Sequence, residues 1–162
     1  MNRRLELGVV ALIAVLDQLT KLLVVARMEL YQTIPIVPGL LNLTHIRNSG
    51  VAFGLFNTAE FSYKPAVMAL VALLALVGVG LYAAQLPASH RWARGGLALI
   101  LGGAAGNLVD RARQGYVVDF VDAYWNGWHF WAFNVADAAL TIGVGLMILD
   151  ILGVGRRASN PV

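Results

Sequence analysis

Cysteine is absent from this 162-residue chain. Without thiols there is no disulfide framework, no thiolate nucleophile and no Cys-ligated metal, so any part facing an oxidising compartment is held by packing and hydrogen bonds. Charge is scarce too: charged residues make up 13% of the chain and apolar residues 59%, against roughly 25% and 45–50% in soluble domains. That imbalance argues against a soluble monomer. Serine occurs only at Ser49, Ser62, Ser89 and Ser159, with no G-x-S-x-G elbow to make one a nucleophile. The three histidines, His45, His90 and His129, are dispersed, without H-E-x-x-H or other metal-ligand spacing. No glycine-rich loop follows a strand, so nucleotide hydrolysis lacks a phosphate cradle.

What the chain does have is long apolar runs. A membrane span needs about 20 mostly apolar residues, and with a mean hydropathy of +0.70 four stretches qualify, at about residues 7–26, 66–86, 93–109 and 135–153. The length suits one domain, residues 1–162. The expected fold class is therefore an all-α membrane protein with four transmembrane helices. Asn2-Arg3-Arg4 before a ten-residue apolar run also resembles a secretory signal peptide, but three later spans favour an uncleaved anchor.

A net charge of +3 and a pI near 9.6 raise the question of nucleic acid. The twelve basic residues are scattered and form no stripe along which a phosphate backbone could run, so no nucleic-acid partner is expected. Their placement bears on topology instead. Arg3 and Arg4, Arg91 and Arg94, and Arg156 and Arg157 fall in three short segments that four spans put on one side. Arg27, Arg47, Lys64, Arg111 and Arg113 are spread over the two long loops opposite. The positive-inside rule weighs short loops near span ends, which places both termini in the cytoplasm and both long loops outside.

Those loops carry the β-structure signals. Residues Leu40 to Arg47 alternate partially, Asn48-Ser49-Gly50 has turn chemistry, and Val51 to Phe56 suits a return strand. Tyr116 to Trp125 is rich in β-branched and aromatic residues and runs into the hairpin signal Asn126-Gly127. A small extracytoplasmic β-sheet subdomain is expected at the membrane surface. Three of the four tryptophans lie between 125 and 131, a cluster that fits an interfacial aromatic belt.

Several polar residues are not explained by hydropathy. Asp17 and Lys21 lie at i, i+4 spacing within the first span and can neutralise each other, as a structural pair or as part of a site. Ala98, Gly102 and Gly106 form a small-residue face for close helix packing. Asn107 and Arg111 share a helix face that could orient a peptide carbonyl or hold a carboxylate. Asp119 sits among Val117, Val118, Phe120 and Val121, where desolvation raises a carboxyl pKa. Asp137 sits at the start of the fourth span, where the helix dipole favours negative charge. If the two meet, they form the pair used by aspartic proteases, one carboxyl protonated and one ionised; otherwise each pairs with Arg111 or Arg113, or caps a helix. A proton relay through Asp17, Lys21, Asp119 and Asp137, or a non-enzymatic packing partner in a larger complex, are the readings from other classes.

Five blocks, in order, resemble those of one family: Asp17 to Lys21, Asn48 to Gly54, Gly102 to Arg111, Val117 to Phe120 and Phe133 to Asp137. Together they are similar to the signatures of the lipoprotein signal peptidases, bacterial signal peptidase II. Ser49 after Asn48, and Val121-Asp122 after Phe120, are small variations that leave the proposed roles intact. The resemblance implies a four-helix inner-membrane aspartic endopeptidase, without metal or cofactor. It would cleave on the N-terminal side of a diacylglyceryl-modified cysteine in prolipoproteins, with its site toward the periplasmic side. It implies Asp119 and Asp137 as the catalytic pair and Asn48, Asn107, Arg111 and Asn134 as substrate-binding residues, with Asp17 and Lys21 as structural support. Its implied partners are a lipid-modified prolipoprotein, membrane lipid and a globomycin-type cyclic peptide inhibitor.

Overall fold

The computed structural model describes residues 2–50 and 63–154. Four helices and four strands follow in the order α1 (Arg3–Arg27), β1 (Thr33–Val37), β2 (Leu41–Asn48), α2 (Lys64–Gln85), α3 (Arg91–Gln114), β3 (Val117–Trp125), β4 (Trp128–His129) and α4 (Val135–Ile151). The strands form one antiparallel sheet in the order β1-β2-β3-β4.

The helices begin and end where local chemistry dictates. Asn2 caps α1, its side chain accepting from the Leu5 amide at 2.8 Å, so the helix starts four residues before the first apolar run. Pro65 sits in the first turn of α2, where its missing N–H costs nothing. Helix α3 continues five residues past the expected span, to Gln114. Arg111 and Arg113 in its last turn complement the helix dipole, and Gly115, at φ 79°, terminates it in the left-handed conformation.

Burial in α1 is inverted relative to a soluble helix: Asp17, Lys21 and Val24 are buried, while Leu5, Leu7, Leu12, Leu19, Leu22 and Leu23 are exposed. Helices α1 and α2 are long and apolar enough by composition to cross a membrane. Helix α3, the central element, packs against α1, α2 and α4. Its small residues let the backbones meet. A Cβ on Gly102 would stand 2.8 Å from the Ile13 Cβ of α1, one on Gly106 2.5 Å from the Asp17 Oδ2, and one on Gly103 would overlap the Ala136 carbonyl of α4.

The sheet is seated on the C-terminal end of α1 through a cluster of Val24, Met28, Val118 and Phe120. Strand β2 pairs with β3 from Leu41 opposite Ala123 to Asn48 opposite Val117, with a bulge between Leu43 and Ile46. Asn126 and Gly127 both have positive φ, as a two-residue type I′ hairpin between β3 and β4 requires. Trp125 and Trp128 flank that turn, exposed. Strand β1 was not anticipated, and the return strand expected at Val51 to Phe56 lies outside the described residues.

Candidate active site

The first layer of the site is an ion cluster between α1 and α3. An ammonium has three protons to donate, and all three of Lys21's find buried acceptors: Asp17 Oδ2 at 2.7 Å, Asp110 Oδ2 at 2.9 Å and Asn107 Oδ1 at 2.8 Å. Asp17 also accepts the Ala136 amide at 2.9 Å, tying α1 to the start of α4. Gln18 donates to Asp110 Oδ1 at 2.9 Å and to the Gly106 carbonyl at 3.1 Å. Asp110 Oδ2 further accepts the Val118 amide at 3.3 Å, which fixes the start of β3 against the end of α3. Helix α1 thus belongs to the folded molecule, since it supplies three members of this network.

Because Lys21 occupies the Asn107 carbonyl oxygen, the amide nitrogen of Asn107 faces the opposite way and donates to Asp137 Oδ1 at 2.8 Å. The other oxygen of Asp137 accepts the Asn134 amide at 3.3 Å, while Asn134 Oδ1 accepts the Asp137 amide at 3.0 Å. This reciprocal capping box starts α4. The Asn134 side chain then reaches across to Asp119, its Nδ2 donating to Oδ1 at 2.7 Å. Asn48, at the end of β2, donates to Asp119 Oδ2 at 3.0 Å. One asparagine therefore bridges the two aspartates, holding one by its nitrogen and the other through its oxygen.

Asp119 is 2% exposed, and burial pushes its carboxyl up to about 7. The charge of Asp137 adds to the rise; the bonds from Asn48 and Asn134 and the charge of Lys21 oppose it. Both aspartates open on one cavity of about 530 Å³. Asn48, Asn107 and Arg111 share its polar wall, while Phe130, Trp131, Phe133, Leu140 and Ile142 make the rest largely apolar. Arg111 donates to the Gly50 carbonyl at 2.9 Å and to its own helix at the Asn107 carbonyl, joining α3 to the loop after β2. One buried and one half-buried carboxyl at the wet edge of an apolar cavity are suited to activating water against a peptide bond while hydrocarbon lies alongside.

The model of the family described as signal peptidase (SPase) II matches residues 9–153. The chain belongs to the signal peptidase II family. Lipoprotein signal peptidases of Geobacter metallireducens, 44% identical over 98% of this chain and 97% of that protein, and of Geobacter sulfurreducens, 45% identical over 88% of each, are close relatives. Two bacterial membrane enzymes solved by the in meso method share the fold. One has a TM-score of 0.82 at 27% identity, covering 96% of each chain; the other has a TM-score of 0.77 at 30% identity, covering 99% of this chain and 95% of that one. Its activity is accordingly that of an aspartic peptidase of the bacterial membrane that removes signal peptides from prolipoproteins.

Within this signal peptidase II fold, the residues singled out from sequence come together. Asp119, Asp137, Asn48, Asn107, Arg111 and Asn134 form one hydrogen-bonded wall, with Asp17 and Lys21 behind it. Neither aspartate is ion-paired with Arg111 or Arg113 among the described residues; Asp137 does serve as half of a helix cap, alongside its place in the cavity. Sequence reasoning left out Gln18 and the part Asp110 plays with Lys21. An i, i+3 relation between Asn107 and Asp110 was the available signal, since it puts both on the face that meets α1. Of the three tryptophans between 125 and 131 that fit an interfacial belt, Trp131 lines the cavity, beside Phe130 and Phe133.

Proposed function

We propose that Asp119 and Asp137 are the catalytic pair, and that the peptidase cleaves on the N-terminal side of a diacylglyceryl-modified cysteine. The observation that carries this reading is the single cavity onto which both carboxyls open beside an apolar wall. Asp137, with an N–H on each oxygen and at a helix N-terminus, is the ionised partner and takes a proton from water. Asp119 holds the shared proton and donates it toward the scissile carbonyl oxygen. Hydroxide adds to the carbonyl carbon, and collapse of the tetrahedral intermediate breaks the C–N bond as a proton passes from the dyad to the leaving amine. Two carboxyls and one water balance the step.

Asn48 and Asn134 hold Asp119, and Asn107 holds Asp137. Arg111 fixes the loop after β2 at the cavity mouth. Asp17 and Lys21 support the wall from behind. The apolar face at Leu140 and Ile142 receives acyl chains, so membrane lipid and the lipid-modified prolipoprotein reach the site from the bilayer. A globomycin-type cyclic peptide would occupy the same cavity. The chain works as one unit, with both termini in the cytoplasm and the cavity toward the periplasmic side.

Single-turnover cleavage of a diacylglyceryl peptide by folded, purified variants tests the pair. Asp119→Asn and Asp137→Asn each lose several orders of magnitude, and the double variant is little worse, because the two groups act as a unit. Substantial activity in either single variant would overturn the assignment. The unmodified peptide is cleaved far more slowly in the same detergent; equal cleavage would remove the acyl-chain role.

A further inference from the structure

A second cavity, of about 280 Å³, lies at the other end of the bundle. Arg94 on its rim and Asn107 at the aspartate wall are separated by roughly 20 Å of α3, at 1.5 Å per residue. The cavity exists because α1 and α2 both pack on α3 and make little contact with each other. Its walls are Leu7 and Val10 of α1, Gly80, Ala83 and Ala84 of α2, and Leu97, Ala98 and Leu101 of α3. Gly80 leaves it open, for a Cβ there would meet only Leu101 Cδ2, at 3.9 Å. The space is far larger than the roughly 30 Å³ of a water, and its walls offer water little to bind.

Charge is confined to the rim, at Arg3, Glu6 and Arg94. Two of these three are spent on each other: Arg94 Nη2 donates to Glu6 Oε2 at 2.7 Å, Nε donates to Oε1, and Nη1 donates to the Leu86 carbonyl at 2.8 Å. That pair ties the starts of α1 and α3 to the end of α2. Arg3 differs. It is exposed at the mouth, and its guanidinium has no ion pair or hydrogen bond among the described residues. An apolar slot between two helices long and apolar enough to cross a membrane, with one uncommitted cation at its mouth, has the amphipathic pattern of a phospholipid with a net negative headgroup.

We propose that this cavity is a binding site for an anionic phospholipid, with an acyl chain between α1 and α2 against Leu97 and Leu101 and the headgroup phosphate on Arg3. The occupant is a bilayer lipid and not the substrate, because the cavity lies at the end of α3 remote from Asp119 and Asp137. Bound there, it fills the gap between two helices that otherwise meet mainly through α3 and holds the bundle at a fixed depth.

The test uses the full chain, purified in detergent and offered phosphatidylglycerol and phosphatidylcholine with identical acyl chains, the bound lipid being counted by native mass spectrometry. The wild type retains phosphatidylglycerol about fivefold over phosphatidylcholine, equivalent to about 1 kcal/mol, the worth of one basic residue beside an anionic headgroup. Arg3→Gln brings phosphatidylglycerol down to the phosphatidylcholine level, while Arg4→Gln, outside the lining, keeps the preference. Gly80→Leu, which grows into the cavity toward Leu101, lowers retention of both lipids, and Ala83→Leu does the same if Gly80→Leu does not fold. Cleavage of a lipidated peptide, at the other end of the molecule, reports that each variant is folded. Equal retention of the two lipids by the wild type, equal loss in Arg3→Gln and Arg4→Gln, or full retention in the folded filling variants would each overturn the proposal.

Discussion

At the scale of single residues, the site depends on asparagines that have no charge of their own. Asn48 and Asn134 each donate to Asp119 and so favour its ionised form, against burial that disfavours it. With the carboxyl at about 7, the proposed role of Asp119 as proton donor to the scissile carbonyl predicts that this proton is lost as pH rises through neutrality, so that kcat/KM falls on an alkaline limb near that value. Asn48→Ala removes a bond that lowers the pKa, so the limb moves to higher pH while the maximum rate drops. A pH–rate profile unchanged in position would rule out this coupling. Stability runs in a related direction. A folded pKa above the ordinary 3.8 means the native state keeps a proton the unfolded chain releases, so the associated stability is full below about 3.8 and is lost as pH rises through about 7. Asp119→Asn, which cannot ionise, is therefore expected to melt above the wild type at pH 8, whatever its activity. Asp122 is the internal control, since it lies on the opposite strand face and accepts from Asn42 at 2.9 Å and contacts His129 Nδ1 at 2.9 Å; Asp122→Asn keeps most of its activity. Lys21 is the residue with most to lose, because Lys21→Met leaves Asp17 and Asp110 buried without their cation, a loss of about 3–5 kcal/mol that thermal unfolding in detergent measures.

At the scale of elements, the close contacts of α3 put the aspartates within reach of their partners. Adding a methyl at Gly103 forces it into the Ala136 carbonyl, one residue before Asp137, whereas Gly145 on α4 has nothing within 4 Å of such a methyl. Gly103→Ala consequently costs about 1–3 kcal/mol through overpacking and lowers kcat by displacing the start of α4, while Gly145→Ala is neutral in both; matched losses would mean that the helix contact is not what places Asp137. Much of this was legible in the sequence. Apolar runs of span length announced the helices, the spacing of Ala98, Gly102 and Gly106 announced a packing face, and Asn126-Gly127 announced a hairpin, because each is a local rule that acts within a few residues. Strand β1 is not legible because Pro35 interrupts a five-residue run, too short for the Ile34, Ile36 alternation to count, and none of it is buried in a core. The bridging role of Asn134 was not derivable from spacing either. It depends on β3 and α4 lying side by side, and the family resemblance placed Asn134 only among the substrate-binding residues.

At the scale of the whole molecule, the distribution of charge and the position of the cavity make one claim about orientation. Among the described residues, the arginine pairs Arg3–Arg4 and Arg91–Arg94 lie at the starts of α1 and α3, whereas the aspartates lie toward the opposite end of α3 with the sheet and its exposed tryptophans. Translocating a basic pair next to a span is disfavoured, which supports the proposed orientation, with the arginine end in the cytoplasm and the aspartate end outward. On that proposal, a substrate whose lipidated cysteine is presented on the outer side would meet the carboxyls without crossing the bilayer. The absence of cysteine makes this directly testable, for a single introduced thiol is the only one in the chain. Trp128 in the β3–β4 hairpin and Ser89 between α2 and α3 are both exposed in the structure, so neither site is shielded by the fold itself. In cells with a permeabilised outer barrier, an impermeant maleimide labels Trp128→Cys and leaves Ser89→Cys untouched until the inner membrane is lysed, after which both react. Labelling of Ser89→Cys in unlysed cells with Trp128→Cys silent would invert the orientation and place the dyad on the cytoplasmic side.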